Sequence, residues 1–359
     1  MSISRRDFMR LAGAYAGAVT LPGLAAASAS RAALKFIDIH HHYVAPAFVE
    51  FNRRFAYGGR VNVGAMSWDL AADLRDMDAA GCAVALLSGF TPSAGGTPQD
   101  RAALSRAYNE FGAQLVQQHP DRFRLLATLP LPDVDASLKE AAYAFDTLGA
   151  AGLTVYTDAG AKYLGDASFT DLYAEMNRRR AIVFVHPHSP ACCVNILPGV
   201  QDSVIEFGSA TSRAIASLIF GGTTVRFPDI RFVFAHGGGT VPFLIERFLG
   251  GTQAQLSPGV TIIGTQSTHL NQPPGTALAE LRRMHYDTAQ INNPVALRAL
   301  KSVVGASQIL FGTDVWYRSV VDSARRLASS GVFNSRELRQ VANGNAIRMI
   351  PSLQRMLAT

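Results

Sequence analysis

Cysteine is scarce and poorly placed: the 359 residues contain three, Cys82, Cys192 and Cys193. An odd number, with no paired spacing, excludes both a disulfide framework and a structural zinc module. Adjacent cysteines do not readily pair with each other, so three free thiols are expected. No run of Lys or Arg alternates with aromatics, although the formal charge is +6; a strip for nucleic acid is excluded on that count. No apolar segment is long enough for a permanent membrane anchor, because Gly13, Gly17, Pro22 and Gly23 interrupt the one near the start. No G-x-G-x-x-G follows the first strand, which argues against a dinucleotide-binding fold. What is present, 48% hydrophobic and 17% charged residues, describes a well-buried globular chain. Its length suits one barrel-type domain or two ordinary ones.

The first thirty residues differ in kind. Ser4-Arg5-Arg6-Asp7-Phe8-Met9 precedes the mildly apolar stretch Leu11 to Leu24 and the small residues Ala25 to Ser30. A twin arginine, a short Gly/Ala-rich apolar region and a small-residue cleavage signature predict a Tat export signal over residues 1–30. The mature protein is then expected to be periplasmic or secreted, after handling by the Tat export machinery.

The run Leu34 to Ile37 reads as a strand leading into Asp38-Ile39-His40-His41-His42. Residues i and i+2 of a strand share a side, so His40 and His42 converge while His41 faces away. Three other apolar runs end in comparable residues, at His186, His236 and Asp314. Further strands are expected at 82–88, 124–129, 153–156 and 284–288. Helical spacing falls at 68–80, 102–118, 136–148, 169–180, 214–220, 241–248, 295–304, 320–330 and 335–349. Residues 43–66 read as a long loop, and 250–275 as an excursion that supports subunit contacts. Eight strands alternating with helices predict a parallel sheet, closed as a (β/α)8 TIM barrel over residues 34–355.

Active sites of such barrels lie at the C-terminal ends of the strands. His40, His42, His186, His236 and Asp314 would all face that cavity, a nitrogen and oxygen set suited to a divalent metal, with zinc expected first and manganese second. Gly237-Gly238-Gly239, after His236, are expected to leave the backbone open to substrate.

The segments Asp38-Ile39-His40-His41-His42, Phe184-Val185-His186-Pro187, Phe234-Ala235-His236-Gly237-Gly238-Gly239 and Phe311-Gly312-Thr313-Asp314 closely resemble the decarboxylase branch of the amidohydrolase superfamily. Aminocarboxymuconate-semialdehyde and 6-methylsalicylate decarboxylases are the members it looks most like. The resemblance extends through Trp68, Met77-Asp78, Pro120-Asp121-Arg122-Phe123, Tyr286-Asp287-Thr288 and Asn345-Ala346. It implies that His40, His42, His186 and Asp314 hold one metal ion and that His236 is an unligated catalytic histidine, with Asp314 also the proton donor. It further implies a homodimer in which Arg247 meets a substrate carboxylate across the interface. Arg60, His188 and Trp316 fall at positions that would line the substrate pocket. No lysine ends the fourth strand to bridge two metals, so one ion is the expected number. The implied activity is decarboxylation of a small aromatic or unsaturated, salicylate-like carboxylic acid. The same residues could serve a hydrolase of a lactone, ester or amide, or a catalytically silent metal-binding barrel.

Overall fold

The apolar runs form eight parallel strands in a computed structural model that describes residues 34–55, 68–90, 95–250, 276–315 and 317–357. The strands are β1 (Phe36–His42), β2 (Cys82–Ser88), β3 (Phe123–Thr128), β4 (Gly152–Tyr156), β5 (Ile182–His186), β6 (Arg231–Phe234), β7 (His285–Asp287) and β8 (Ile309–Leu310). Each pairs in parallel with the next in chain order. Between β8 and β1 the ring is closed by single bonds. Ile39 N–H donates to the Phe311 carbonyl at 2.9 Å, Asp314 N–H donates to the His40 carbonyl at 2.9 Å, and His41 bridges to Val315. The expected (β/α)8 barrel is therefore the fold. The Tat-like stretch 1–30, Arg60, Trp316 and residues 251–275 lie outside the described residues.

The strand alternation builds two cores. Ile37, Ile39, Val84, Leu86, Leu126, Phe184 and Val233 fill the barrel, while Phe123, Leu125, Val183, Phe232 and Phe234 meet the surrounding helices. Met349, Leu353 and Met356, near the chain's end, plug the barrel at the N-terminal ends of the strands. Backbone links fix that plug: Lys35 Nζ donates to the Leu357 carbonyl and Arg231 Nη1 to that of Met349.

Several helices begin at side-chain caps. The helix Leu70–Ala80 starts after Asp69, which accepts from Ala72 N–H, and stops at left-handed Gly81. Four sequence expectations need correction. Residues 43–66 are not all loop, since Pro46–Phe55 is helical, with Phe51 buried and packed 4.7 Å from Phe55. Its Pro at the first position and Phe48, Phe51 and Phe55 at helical spacing carry that signal. Cys192 and Cys193 form a vicinal disulfide, because the 3₁₀ turn Ala191–Cys193 brings successive side chains together; only Cys82 is a free thiol. The helix expected over 335–349 carries a π-helical turn at Gln340–Gly344. β6 and β8 stop short of His236 and Asp314, which lie on the turns that follow.

Candidate metal centre

Strict alternation from Ile37 and Ile39 would aim His41 into the barrel. A bulge in β1 prevents this: three steps, Asp38 to His41, face two in β2, Ala85 to Leu87. The extra residue re-aims the strand. His40 and His42 turn inward, with Nε2 atoms 3.0 Å apart. His41 turns outward to Asp38 and Asp73, at 2.8 Å from each. Asp38 accepts the N–H of His40 and the N–H and hydroxyl of Thr313, so it pins the bulge to the turn before Asp314.

His186, at the end of β5, supplies a third imidazole, its ring 5.0 Å from that of His40 and 4.9 Å from that of His42. Asp314 supplies the oxygen. Its Oδ1 is 2.9 Å from His42 Nε2, 3.2 Å from His40 Nε2 and 3.9 Å from His186 Nε2. All four ligand atoms lie within 4.8 Å of one another, and all four residues are buried. Ligands about 2.1 Å from one ion sit about 3.0–3.4 Å apart in octahedral or tetrahedral arrangements; the separations among His40, His42 and Asp314 match that, and His186 stands somewhat further out. The decisive test is satisfaction of polar atoms: His186 Nε2 and Asp314 Oδ1 are buried without any hydrogen-bond partner. Such atoms are costly unless something completes them. The group is suited to a metal ion.

Electrostatics sharpen the picture. Burial works against a proton on His40, yet Asp287, 2.7 Å from Nδ1, and Asp314 together raise its pKa to about 10. Burial holds His42 and His186 below the ordinary imidazole value. Burial would raise Asp314, but the His40 charge and the other imidazoles around it, His236 in hydrogen-bond contact, keep its carboxyl well below the usual range. A cation is thus favoured at the cluster, and a bound divalent ion would take the place of the proton facing Asp314. Asp287 keeps the Nδ1 proton of His40, which leaves Nε2 free to ligate.

His236 sits outside the four ligand atoms. Its Nε2 is 3.2 Å from Asp314 Oδ2, and its ring stacks 6.4 Å from Phe207. Gln290 donates its side-chain amide to the same oxygen. His236, Asp314 and Gln290 all have positive φ, at 54°, 60° and 55°. Left-handed backbone is uncommon outside glycine and gathers at functional sites. The glycines after His236 serve packing, not access as expected from the sequence. A Cβ on Gly237 would lie 2.5 Å from Ile291 Cδ1, one on Gly238 2.8 Å from Tyr286, and one on Gly239 would strike the Gly208 carbonyl.

The structure thus brings His40, His42, His186, His236 and Asp314 together. His188 lies beside them, half-buried, its ring 4.6 Å from that of Tyr156. Arg247 stands exposed in the last turn of the helix Val241–Gly250. Sequence reasoning gave no role to Asp287 or Gln290. Asp287 ends a weak strand, and only pairing with His40 reveals its use.

The amidohydrolase family profile matches residues 37–351. The chain belongs to the amidohydrolase family. Among curated amidohydrolase relatives, the decarboxylase macB of Penicillium terrestre is 32% identical over 333 residues, covering 88% of this chain and 94% of that protein. The 6-methylsalicylic acid decarboxylase of Penicillium expansum is 31% identical over 331 residues, covering 89% and 98%. A dihydroxybenzoic acid decarboxylase of Polaromonas sp. JS666, solved with bound manganese and 2-nitroresorcinol, shares the fold at a TM-score of 0.73 and 18% identity, covering 88% and 96%.

Proposed function

We propose that this amidohydrolase is a metal-dependent carboxy-lyase that removes CO2 from a small aromatic carboxylic acid. The observation that carries the reading is the convergence of three imidazoles and one carboxylate with two unsatisfied ligand atoms, beside the His236–Asp314 pair. Decarboxylase relatives at about one-third identity over most of the chain support the same chemistry. His40, His42 and His186 would hold the ion through Nε2, and Asp314 through Oδ1. When bound, it supplies Lewis acidity to the oxygens of the substrate and draws charge from the ring. Zinc is the expected ion and manganese the second choice, since nitrogen and oxygen donors admit both.

The chain's own groups manage the proton. His236 Nε2 and Asp314 Oδ2 share a hydrogen bond, so the pair can deliver one proton to the ring carbon that bears the carboxylate. The ring–carboxylate bond then breaks, its electrons restore the ring, and CO2 departs; one carboxylate and one proton give one arene and one CO2. Gln290 donates to Oδ2 of the pair, while the rings of Phe90 and Phe207 lie against His186 and His236.

Product analysis tests the reading. Metal-loaded protein is offered salicylate-type acids, lactones and esters, with CO2, opened rings and freed alcohols measured together. Release of CO2 is expected; an opened lactone or freed alcohol without CO2 would make the protein a hydrolase instead. We further infer that residues 1–30 direct Tat export to the periplasm or beyond, from the Arg5-Arg6 pair and the small residues that follow. Replacing both arginines with lysine should strand folded protein in the cytoplasm. A homodimer using the exposed Arg247 is the third element of the proposal, to be checked by light scattering.

A further inference from the structure

The barrel mouth holds a second set of polar atoms that the metal-ligand cluster leaves unused. A narrow cleft opens at the ends of β2, β3 and β4, with Gly89, Thr128, Thr154, Tyr156 and Asp158 in its wall. Thr128 opposes Thr154, and Tyr156 opposes His186, so these side chains share the inward face of the sheet. Tyr156 is the wall common to both places, its ring 6.5 Å from that of His186 and 4.6 Å from that of His188.

Asp158 begins a two-stranded hairpin with Lys162–Tyr163 and is 4% exposed. His188 Nε2 lies 3.0 Å from its Oδ1, and the Thr157 hydroxyl 3.2 Å from the same oxygen. The approach of His188 makes no hydrogen bond, and its Nε2 is a buried nitrogen without a hydrogen-bond partner. Thr128 Oγ1 has none either, on a residue 1% exposed. The buried ring nitrogen and the buried hydroxyl are costly unless something completes them, and the Asp158 carboxylate lies beside the first of them.

We propose that Asp158, with His188 and Thr128 beside it, determines specificity by accepting a hydrogen bond from a hydroxyl or amino group on the substrate ring, away from the reacting carboxylate. The proposal rests on the decarboxylase reading for what occupies the histidine cluster. A carboxylate at this position attracts a donor and repels a second anion. The favoured substrate is therefore a monocarboxylic aromatic acid with a remote hydroxyl, and dicarboxylic acids are disfavoured.

The experiment compares 2,4- and 2,5-dihydroxybenzoate with the ethers in which the hydroxyl remote from the carboxylate is methylated. Both kcat/KM and calorimetric Kd are read on metal-loaded, full-length protein. Wild type should favour each hydroxyl compound over its ether by about 10-fold or more in both measures. Asp158→Asn, whose amide can donate to an ether oxygen, should erase or reverse that preference with metal content unchanged. Thr128→Val should weaken it less. Equal binding of hydroxyl and ether by wild type, or an unchanged preference in Asp158→Asn, would overturn the proposal. If Asp158→Asn does not fold, His188→Phe and Thr128→Val carry the same comparison. Preserved preference in binding, without CO2 from any compound, would remove the decarboxylase reading and leave the role of Asp158 standing.

Discussion

Replacing Asp287 with asparagine alters one hydrogen-bonding edge and almost no volume. Asp287 Oδ1 accepts the backbone N–H of His236 at 2.8 Å and of Ala289 at 2.9 Å. Those two donors require the asparagine carbonyl to take that side, so its amide must face His40 Nδ1, 2.7 Å away. A donor now meets a donor. His40 can relieve the conflict only by moving its proton to Nε2, the atom 3.0 Å from His42 Nε2 and turned toward the other ligands. A protonated nitrogen has no lone pair to give. Loss of such an outer partner costs about 10- to 100-fold in metal affinity, which is about 1.4–2.7 kcal/mol. Asp287→Asn should fall at the severe end of that range, and Asp287→Ala, which leaves the tautomer free, nearer the mild end. Chelator competition gives the affinities, and ring-nitrogen NMR reports which His40 nitrogen carries the proton. Near wild-type affinity in Asp287→Asn, or retention of the Nδ1 proton, would refute the reasoning.

Three other outcomes follow from the same structure. His236→Asn should keep its metal while turnover falls about 100-fold or more, whereas Asp314→Asn should lose both; metal analysis beside CO2 release separates them. Gly165→Ala should cost about 2 kcal/mol or more, measured by urea denaturation, because its Cβ would strike the Ser217 carbonyl and come within 2.9 Å of Leu218 N, backbone that cannot swing aside. His285 is pushed down to about 4 by burial and by Arg348 and Arg231. Its folded pKa is thus below the unfolded value near 6.5, the unfolded chain binds the extra proton, and stability falls as pH drops from about 6.5 through 4. The loss is at most about 3 kcal/mol, and denaturation midpoints at pH 7.5 and 5 should differ less in His285→Asn than in wild type.

The barrel was legible because its signals are local and repeated: apolar runs ending in His or Asp, separated by helical spacing. Even Gly81 as a helix stop is visible from the pattern alone, and it adopts φ 69° there. The bulge was not legible, since the sequence around Asp38 carries no glycine or proline to mark it, and only pairing with β2 exposes the extra residue. The helix Pro46–Phe55 was hidden by its aromatic content, which resembles that of a pocket loop. Asp287 was hidden for a different reason: its partner, His40, lies 247 residues earlier. Contacts of that range leave no periodic trace. The glycines after His236 misled because small residues serve tight packing and open access equally well.

Closure of the ring has a consequence for how the chain is made. Thr313 N–H reaches Asp38 across 275 residues, and Lys35 bonds to the Leu357 carbonyl across 322. On the ribosome, His40 and His42 emerge first, His186 after them, and Asp314 last of the four. The plug of Met349, Leu353 and Met356 comes later still. Loop closure of that length is paid before the contacts return it, so a nascent chain halted before Asp314 lacks the one carboxylate of the cluster and the bond from Asp314 N–H to the His40 carbonyl that helps close the ring. The four side chains suited to an ion can therefore meet only once the chain has grown past Asp314, long after its first two histidines were made.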